Sequence, residues 1–207
     1  MFPEAGFIAE EGSGSLTDEE YCWVIDPLDG TSNYIHDMAP YSVSIALRDR
    51  EELLLGVVYE VCRNECFYAW KGGKAFMNGE EIHVSNVENI KDAFVITELP
   101  YNHLQYKQTA LHLIDQLYGV VGGIRMNGSA AAAICYVAIG RFDAWMEAFL
   151  GKWDYSAAAL IVQEAGGKVT DFYGEDHFIE GHHIIATNGN LHPFFQKLLA
   201  EVPPLNM

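Results

Sequence analysis

Trp23-Val24-Ile25-Asp26-Pro27-Leu28-Asp29-Gly30-Thr31-Ser32-Asn33 is the stretch on which the reading of this chain turns. Residues 21–25 read as a strand that enters a proline turn from Asp26 to Gly30. Asp26 and Asp29 stand three apart around that turn, so both carboxylates can face one point, and the Leu28 carbonyl lies between them as a third hard oxygen. Gly30 lets the backbone approach a ligand closely, and Thr31 adds a hydroxyl. Two carboxylates at the end of a buried strand need a counter-charge, because an unpaired buried anion is costly. None is available nearby: residues 1–47 hold no Lys or Arg and nine acids, Glu4, Glu10, Glu11, Asp18, Glu19, Glu20, Asp26, Asp29 and Asp37. Asp18, Glu19 and Glu20 read as a solvated acidic face. Asp26 and Asp29 do not, and a bound cation is the simplest remedy for them. Oxygen donors of this kind suit Mg²⁺, which takes one or two carboxylates together with phosphate and water.

Composition agrees with a globular protein of this kind. The chain has 207 residues, half of them hydrophobic and only 20% charged, enough to bury a core. Its formal charge of -17 argues against nucleic acid as the main partner and against an anionic membrane surface. No apolar run approaches the ~18–20 residues of a membrane span, and Phe-Pro-Glu after Met1 predicts no signal peptide in this stretch. Cys22, Cys62, Cys66 and Cys135 are scattered without a CxxC pair. That usage fits free thiols in a reducing cytoplasm, which is the expected location. With no repeat, low-complexity tract or linker, residues 1–207 read as a single domain.

Further along, 41–47 alternates and predicts a strand with one buried face. Leu53–Tyr59 and Cys66–Trp70 predict strands joined by a hairpin turn at Arg63-Asn64, and Gly72-Gly73 and Asn78-Gly79 predict more turns. Phe94–Glu98 reads as a strand and Gln105–Leu117 as an amphipathic helix. Val120–Arg125 reads as a strand, and Asn127-Gly128-Ser129 opens a helix reaching about Gly140. Strand Phe142–Glu147 precedes a helix opened by Trp153-Asp154 and ended by Gly166-Gly167. Val169–Phe172 and Ile184–Thr187 read as strands, and a last helix runs from about Pro193 to Glu201. His182-His183 reads as a loop pair rather than as ligands. The pattern implies layered sheets and helices, with helix N-termini gathered near one another.

Two more segments carry chemistry. Trp153-Asp154-Tyr155-Ser156-Ala157, followed by Glu164-Ala165-Gly166-Gly167, places an acid at a helix start, where capping is its common role. Gly6-Phe7-Ile8-Ala9-Glu10-Glu11 is a short strand ending in an acid pair. Together with 26–33, these segments resemble the inositol monophosphatase family of Mg²⁺-dependent phosphatases, over nearly the whole chain. Ala9 stands where the family usually has Gly, and Ser32 and Ser129 where it commonly has Thr.

The resemblance implies an α+β, layered αβαβα sugar-phosphatase fold. The first helical layer and an assisting Asp, which family members carry ahead of the Gly-Phe-Ile strand, are expected to be missing here. It implies metal binding by Glu10, Asp26, the Leu28 carbonyl, Asp29 and Asp154, with Asp26 bridging two metals. Two or three Mg²⁺ are expected per site, which Ca²⁺ or Mn²⁺ can also occupy. Substrate contacts are implied for Asp29, Gly30, Thr31, Gly128, Ser129, Ala130, Glu147 and Asp154. The resemblance further implies Glu10, Thr31 and Asp29 as the catalytic set, with Glu10 and Thr31 orienting or deprotonating a water, and Glu147 as the acid that meets the hydroxyls of an inositol ring. The expected reaction is hydrolysis of a small phosphate monoester, inositol 1-phosphate or a related sugar phosphate. Lys152 could instead meet a second phosphate, which keeps fructose 1,6-bisphosphate and adenosine 3′,5′-bisphosphate in view. A chain that binds metal or a partner without turnover is the alternative from another class. A homodimer is expected, since the resemblance implies one, family members being mostly homodimers, and a lost helical layer would leave more apolar surface to cover.

Overall fold

The computed structural model describes residues 5–12, 19–100 and 104–202. Asp18, read as part of an acidic face, lies outside them; Glu19 and Glu20 are exposed. A seven-stranded sheet takes its strands in chain order. They are β1 Gly6–Ala9, β2 Cys22–Asp29, β3 Ser42–Arg48, β4 Leu53–Glu60, β5 Glu65–Trp70, β6 Ala75–Met77 and β7 Glu80–Ile82. β1 and β2 are parallel and the rest antiparallel. The turns foreseen at Arg63-Asn64 and Asn78-Gly79 join β4 to β5 and β6 to β7. β6 and β7, three residues each, are too short to show a period of their own.

The second sheet has the order β11-β12-β10-β8-β9. Its strands are β8 Phe94–Thr97, β9 Gly123–Arg125, β10 Ala144–Ala148, β11 Lys168–Thr170 and β12 His183–Thr187. Helices are α1 Thr31–Ile35, α2 Lys107–Leu117, α3 Ala130–Ala138, α4 Lys152–Glu164 and α5 His192–Ala200. Some expected boundaries move. The segment 120–125 pairs only from Gly123, because residues 118–122 turn away from the end of α2. The segment 169–172 pairs as 168–170, since Asp171 closes a turn by accepting the Tyr173 and Glu175 amides at 2.9 and 2.8 Å. His183 is no loop residue: it opens β12, is buried, and accepts the Phe172 amide on Nδ1 at 3.1 Å.

α3 and α4 lie between the sheets. Every residue of α3 is buried, and its run Ala130–Ala133 keeps it thin enough to sit there. α4 presses on the inner face of the first sheet at Gly56, where a Cβ would lie 2.4 Å from the Ala157 carbonyl. α2 and α5 cover the outer face of the second sheet through Leu113, Leu117, Phe195 and Leu199. The layers are therefore sheet, helices, sheet, helices. This is the expected layered α+β fold without its first helical layer among the described residues, none of whose helices packs on the other face of the seven-stranded sheet.

β3 inverts the usual reading of a strand. The face against α3 and α4 carries Ser42, Ser44, Ala46 and Gly56, all buried, while Val43, Ile45, Val57 and Tyr68 on the other face are only half-buried. On β3 and at Gly56 the inner residues are small where α4 comes close, while Val24, Val58 and Phe67 fill the rest of that face. Tyr68 and Phe76 stack at 5.5 Å, as do Trp70 and Phe76.

Candidate active site

The site grows from an irregularity in β2. Residues three apart on a regular strand point to opposite faces. Pairing of β2 with β3 shifts register between Asp26 and Asp29, and this places both carboxylates on the buried side. The strand so continues through Asp29, where the sequence predicted a turn from Asp26 onward. Asp26 accepts the Leu28 amide at 2.9 Å, an Asx-type closure that fixes the Pro27-Leu28 corner. The chain then turns at Gly30, with φ +85°, into α1. A Cβ at Gly30 would lie 3.1 Å from both the Pro40 carbonyl and the Ser129 Cβ, so only glycine fits. The Thr31 hydroxyl donates to the Leu28 carbonyl at 2.9 Å, and Asn33 clamps the base of the site by donating to the Pro40 and Asn127 carbonyls.

Asp29 sits at the start of α3. It accepts the Ser42 hydroxyl at 3.1 Å, the Ser129 hydroxyl, and the Ala130 and Ala131 amides at 3.2 and 3.0 Å. The amides at this helix start therefore face a protein carboxylate. Asp154 lies in the first turn of α4 and accepts the Gly151 amide at 2.7 Å, so it does cap its helix. It also joins the cluster: Asp26, Asp29 and Asp154 each offer one oxygen within 4.8 Å of the others.

Around the triad lies a cleft of about 290 Å³. Glu10, Leu28, Gly30, Thr31, Gly128, Ala130 and Glu147 line it with the three aspartates, as the sequence reading grouped them. Glu10 stands exposed at its edge. Ser129 is buried behind Asp29 and does not line the cleft, and neither does Lys152.

Glu98 is the residue that sequence reasoning missed. It lines the cleft, is 6% exposed, and its Oε1 accepts the Asn127 and Gly128 amides at 2.7 and 3.2 Å. The signal was an acid closing an apolar strand, present in both Phe94–Glu98 and Phe142–Glu147. What the sequence did not show is that β8 and β10 are parallel neighbours, which brings both acids to one sheet edge.

Charge in this cleft is one-sided. Glu10, Asp26, Asp29, Glu98, Glu147 and Asp154 line it, and no lysine or arginine among the described residues does. Burial, then repulsion from Asp29, lifts Asp26 to about 8. The same causes lift Asp154 to about 7. Burial raises Asp29 in spite of its four hydrogen bonds, raises Glu98 to about 7, and with Glu98 and Asp154 nearby pushes Glu147 well above the glutamate range. Converging carboxylates left without a counter-charge, all hard oxygen donors, are a fit for divalent cations.

Comparisons with known proteins agree with this geometry. The sequence profile of the inositol monophosphatase family matches residues 1–203. The chain is 42% identical over 206 residues to Nus factor SuhB of Pseudomonas aeruginosa, covering 99% of this chain and 73% of that protein. It is 38% identical over 199 residues to inositol-1-monophosphatase of Caulobacter vibrioides, covering 92% and 76%. The solved inositol monophosphatase from Anabaena (Nostoc) sp. PCC 7120 superposes with a TM-score of 0.92 at 35% identity, covering 99% of this chain and 81% of that one. The chain belongs to the inositol monophosphatase family, a family of metal-dependent phosphatases.

Proposed function

We propose that the protein is a Mg²⁺-dependent phosphomonoesterase acting on inositol 1-phosphate or a related sugar phosphate. The observation that carries the proposal is the convergence of Asp26, Asp29 and Asp154 in a cleft with acids and no bases. A phosphate dianion would be repelled there unless cations entered with it. Glu10, Asp26, the Leu28 carbonyl, Asp29 and Asp154 would hold them, and divalent cations so held supply charge neutralisation of the phosphate and an acidified water.

The chain's own residues do the rest. The Thr31 hydroxyl donates to the Leu28 carbonyl, so its lone pairs are free to accept a hydrogen bond from, and so orient, an attacking water, whose proton has to go elsewhere. Glu10, exposed at the edge, takes that proton on its carboxylate. Glu98 holds the 127–128 turn in place, and through it the wall that faces the substrate. Glu147 meets the leaving group, where polyol hydroxyls can donate to it; the inositol-1-monophosphatase of Caulobacter supports that choice of substrate.

The test is phosphate release from inositol 1-phosphate, fructose 1,6-bisphosphate, adenosine 3′,5′-bisphosphate and histidinol phosphate, with Mg²⁺ and with EDTA. Release only with Mg²⁺, fastest on inositol 1-phosphate and lost in Asp29→Asn and Asp154→Asn, is the expected result. Unchanged rates in both variants would remove the metal-site assignment. The relative named as a factor supports a second reading, a protein that binds a cation and a partner without turnover. Silence across the whole panel, with Mg²⁺ binding intact, would favour it.

A further inference from the structure

His182 lies just before β12, exposed and outside the cleft, and the proposed reaction does not use it. Its ring is nevertheless tied to the cleft wall. The β10–β12 register pairs Ala148 with His183, so a regular continuation would set Leu150 opposite Gly181. Phe149 breaks that register. Its φ of +66° is left-handed backbone, which a bulky side chain rarely adopts and which costs free energy unless the surroundings hold it. Leu150 is set against His182 instead. Its amide donates to the His182 carbonyl at 3.1 Å, and its carbonyl accepts from His182 Nδ1 at 3.0 Å. A carbonyl can only accept, so Nδ1 carries the proton.

The same peptide unit has a second side. The Leu150 carbonyl and the Gly151 amide belong to one planar group, and that amide donates to Asp154 Oδ2 at 2.7 Å. A chain of donors therefore runs from His182 Nδ1, through the Leu150–Gly151 peptide, to a carboxylate of the acidic cluster. Linked hydrogen bonds polarise one another, so a donor on the carbonyl strengthens the amide. The surroundings hold this relay in place. A Cβ at Gly151 would lie 2.3 Å from the Trp153 indole, so the indole lies against the peptide. Tyr155, next to Asp154, shares its hydroxyl between the Phe178 and Gly181 carbonyls at 2.7 and 2.8 Å. The start of α4 and the chain leading into His182 are thus tied twice, once through Tyr155 and once through the His182 ring.

We propose that His182 is a positioning residue for Asp154: its ring, acting through the Leu150–Gly151 peptide, orients the carboxylate that would hold a cation. A carboxylate that accepts a hydrogen bond in its charged form keeps both its charge and its direction. Partners one shell out from a metal typically carry a factor of about 10–100 in its affinity. The role rests on the metal reading of the site given above.

The experiment is a calorimetric Mg²⁺ titration of the full chain, with thermal melts in EDTA and in Mg²⁺. His182→Phe keeps a ring and removes the donor, and should weaken Mg²⁺ binding about tenfold. It should also shrink the rise in melting temperature that Mg²⁺ gives. His182→Asn, whose side-chain amide can donate from close to the position of Nδ1, should recover most of the affinity. In amide NMR spectra recorded without metal, the Gly151 proton should move upfield in His182→Phe and return in His182→Asn. A purely structural histidine would lower the melting temperature equally in EDTA and in Mg²⁺ and leave the affinity unchanged, which overturns the proposal. So does an affinity lost in His182→Phe that His182→Asn fails to recover. If the unsubstituted protein binds no Mg²⁺, the metal reading falls and this role with it. If it and His182→Phe bind Mg²⁺ equally, this role alone falls.

Discussion

One row of the seven-stranded sheet holds acids at both ends, and they are handled in opposite ways. Asp29, Ser42, Glu60 and Glu65 pair in register across β2 to β5. At the β5 end, Arg141 grips Glu65 with two hydrogen bonds of 2.6 Å, and Arg63 adds a third at 3.2 Å. Arg141, more than Arg63, holds the Glu65 carboxyl below its ordinary value. At the β2 end, Asp29 receives only neutral donors, and burial drives it and its neighbour Asp26 upward. The fold therefore brings its own cation to one end of the row and leaves the other end to a cation from solution. A buried acid cluster is informative only together with what neutralises it.

The largest expected effect tests that difference directly. Mg²⁺ that binds only the folded protein should add about 2.7 kcal/mol at a hundredfold excess over its dissociation constant. Thermal melts in EDTA and in Mg²⁺ at several pH values check this. In EDTA, Asp26 and Asp154 bind protons more tightly folded than unfolded. Their contribution to stability is therefore present at low pH and lost as pH rises through about 7 to 8. Glu65 has the opposite sign: its contribution is present above the ordinary glutamate value and lost as pH falls below it. The metal-free protein should be most stable on the acid side of neutrality, and Mg²⁺ should move that optimum upward. An optimum that does not move with Mg²⁺ would mean the aspartates hold no cation.

The next effect probes the other end of the row. Arg141→Leu removes both short bonds to Glu65 and the guanidinium that lies 5.1 Å over the Tyr136 ring, and should cost about 2 kcal/mol. Urea melts would show the loss, and it should be equal with and without Mg²⁺, since Arg141 lies outside the cleft. A loss that Mg²⁺ repairs would couple the two ends and break the comparison.

Smaller effects separate hydrogen bonding from charge inside the cleft. Glu98→Ala leaves the Asn127 and Gly128 amides without their acceptor and should cost about 1–2 kcal/mol. Glu98→Gln keeps an acceptor oxygen and should restore most of that stability. If it does not, charge rather than hydrogen bonding holds the turn. Ser42→Ala removes one donor to Asp29 and should cost about 1 kcal/mol, read as a shift in melting temperature.

Much of the site was legible because its chemistry is local. Asp26, Leu28, Asp29, Gly30 and Thr31 belong to one short segment, and a corner there serves only if these residues are neighbours. The need for a cation was legible too, from nine acids and no base before Arg48. The faces of β3 were not legible. Hydropathy favours burying Val43 and Ile45, yet Ser42, Ser44 and Ala46 are inside, because α4 comes too close for larger side chains, and Ser44 donates to the Trp153 carbonyl at 3.0 Å. Nor was the double use of Asp154, at once helix cap and cluster member, decided by its position in sequence.

The sequence by itself determined the kinds of group available: which strands and helices form, where acids without bases accumulate, and which family's segments recur in order. Those follow from periodicity, turn chemistry and residue type, which are properties of neighbours along the chain. Only the tertiary structure decided which groups meet. It placed Asp154 beside Asp26 across more than a hundred residues, aligned Glu98 with Glu147 on parallel strands, and among the described residues gave Arg141 to Glu65 and no base to Asp29. The reason is that buried electrostatics depends on distance and on what excludes water, and both are fixed only when the layers pack.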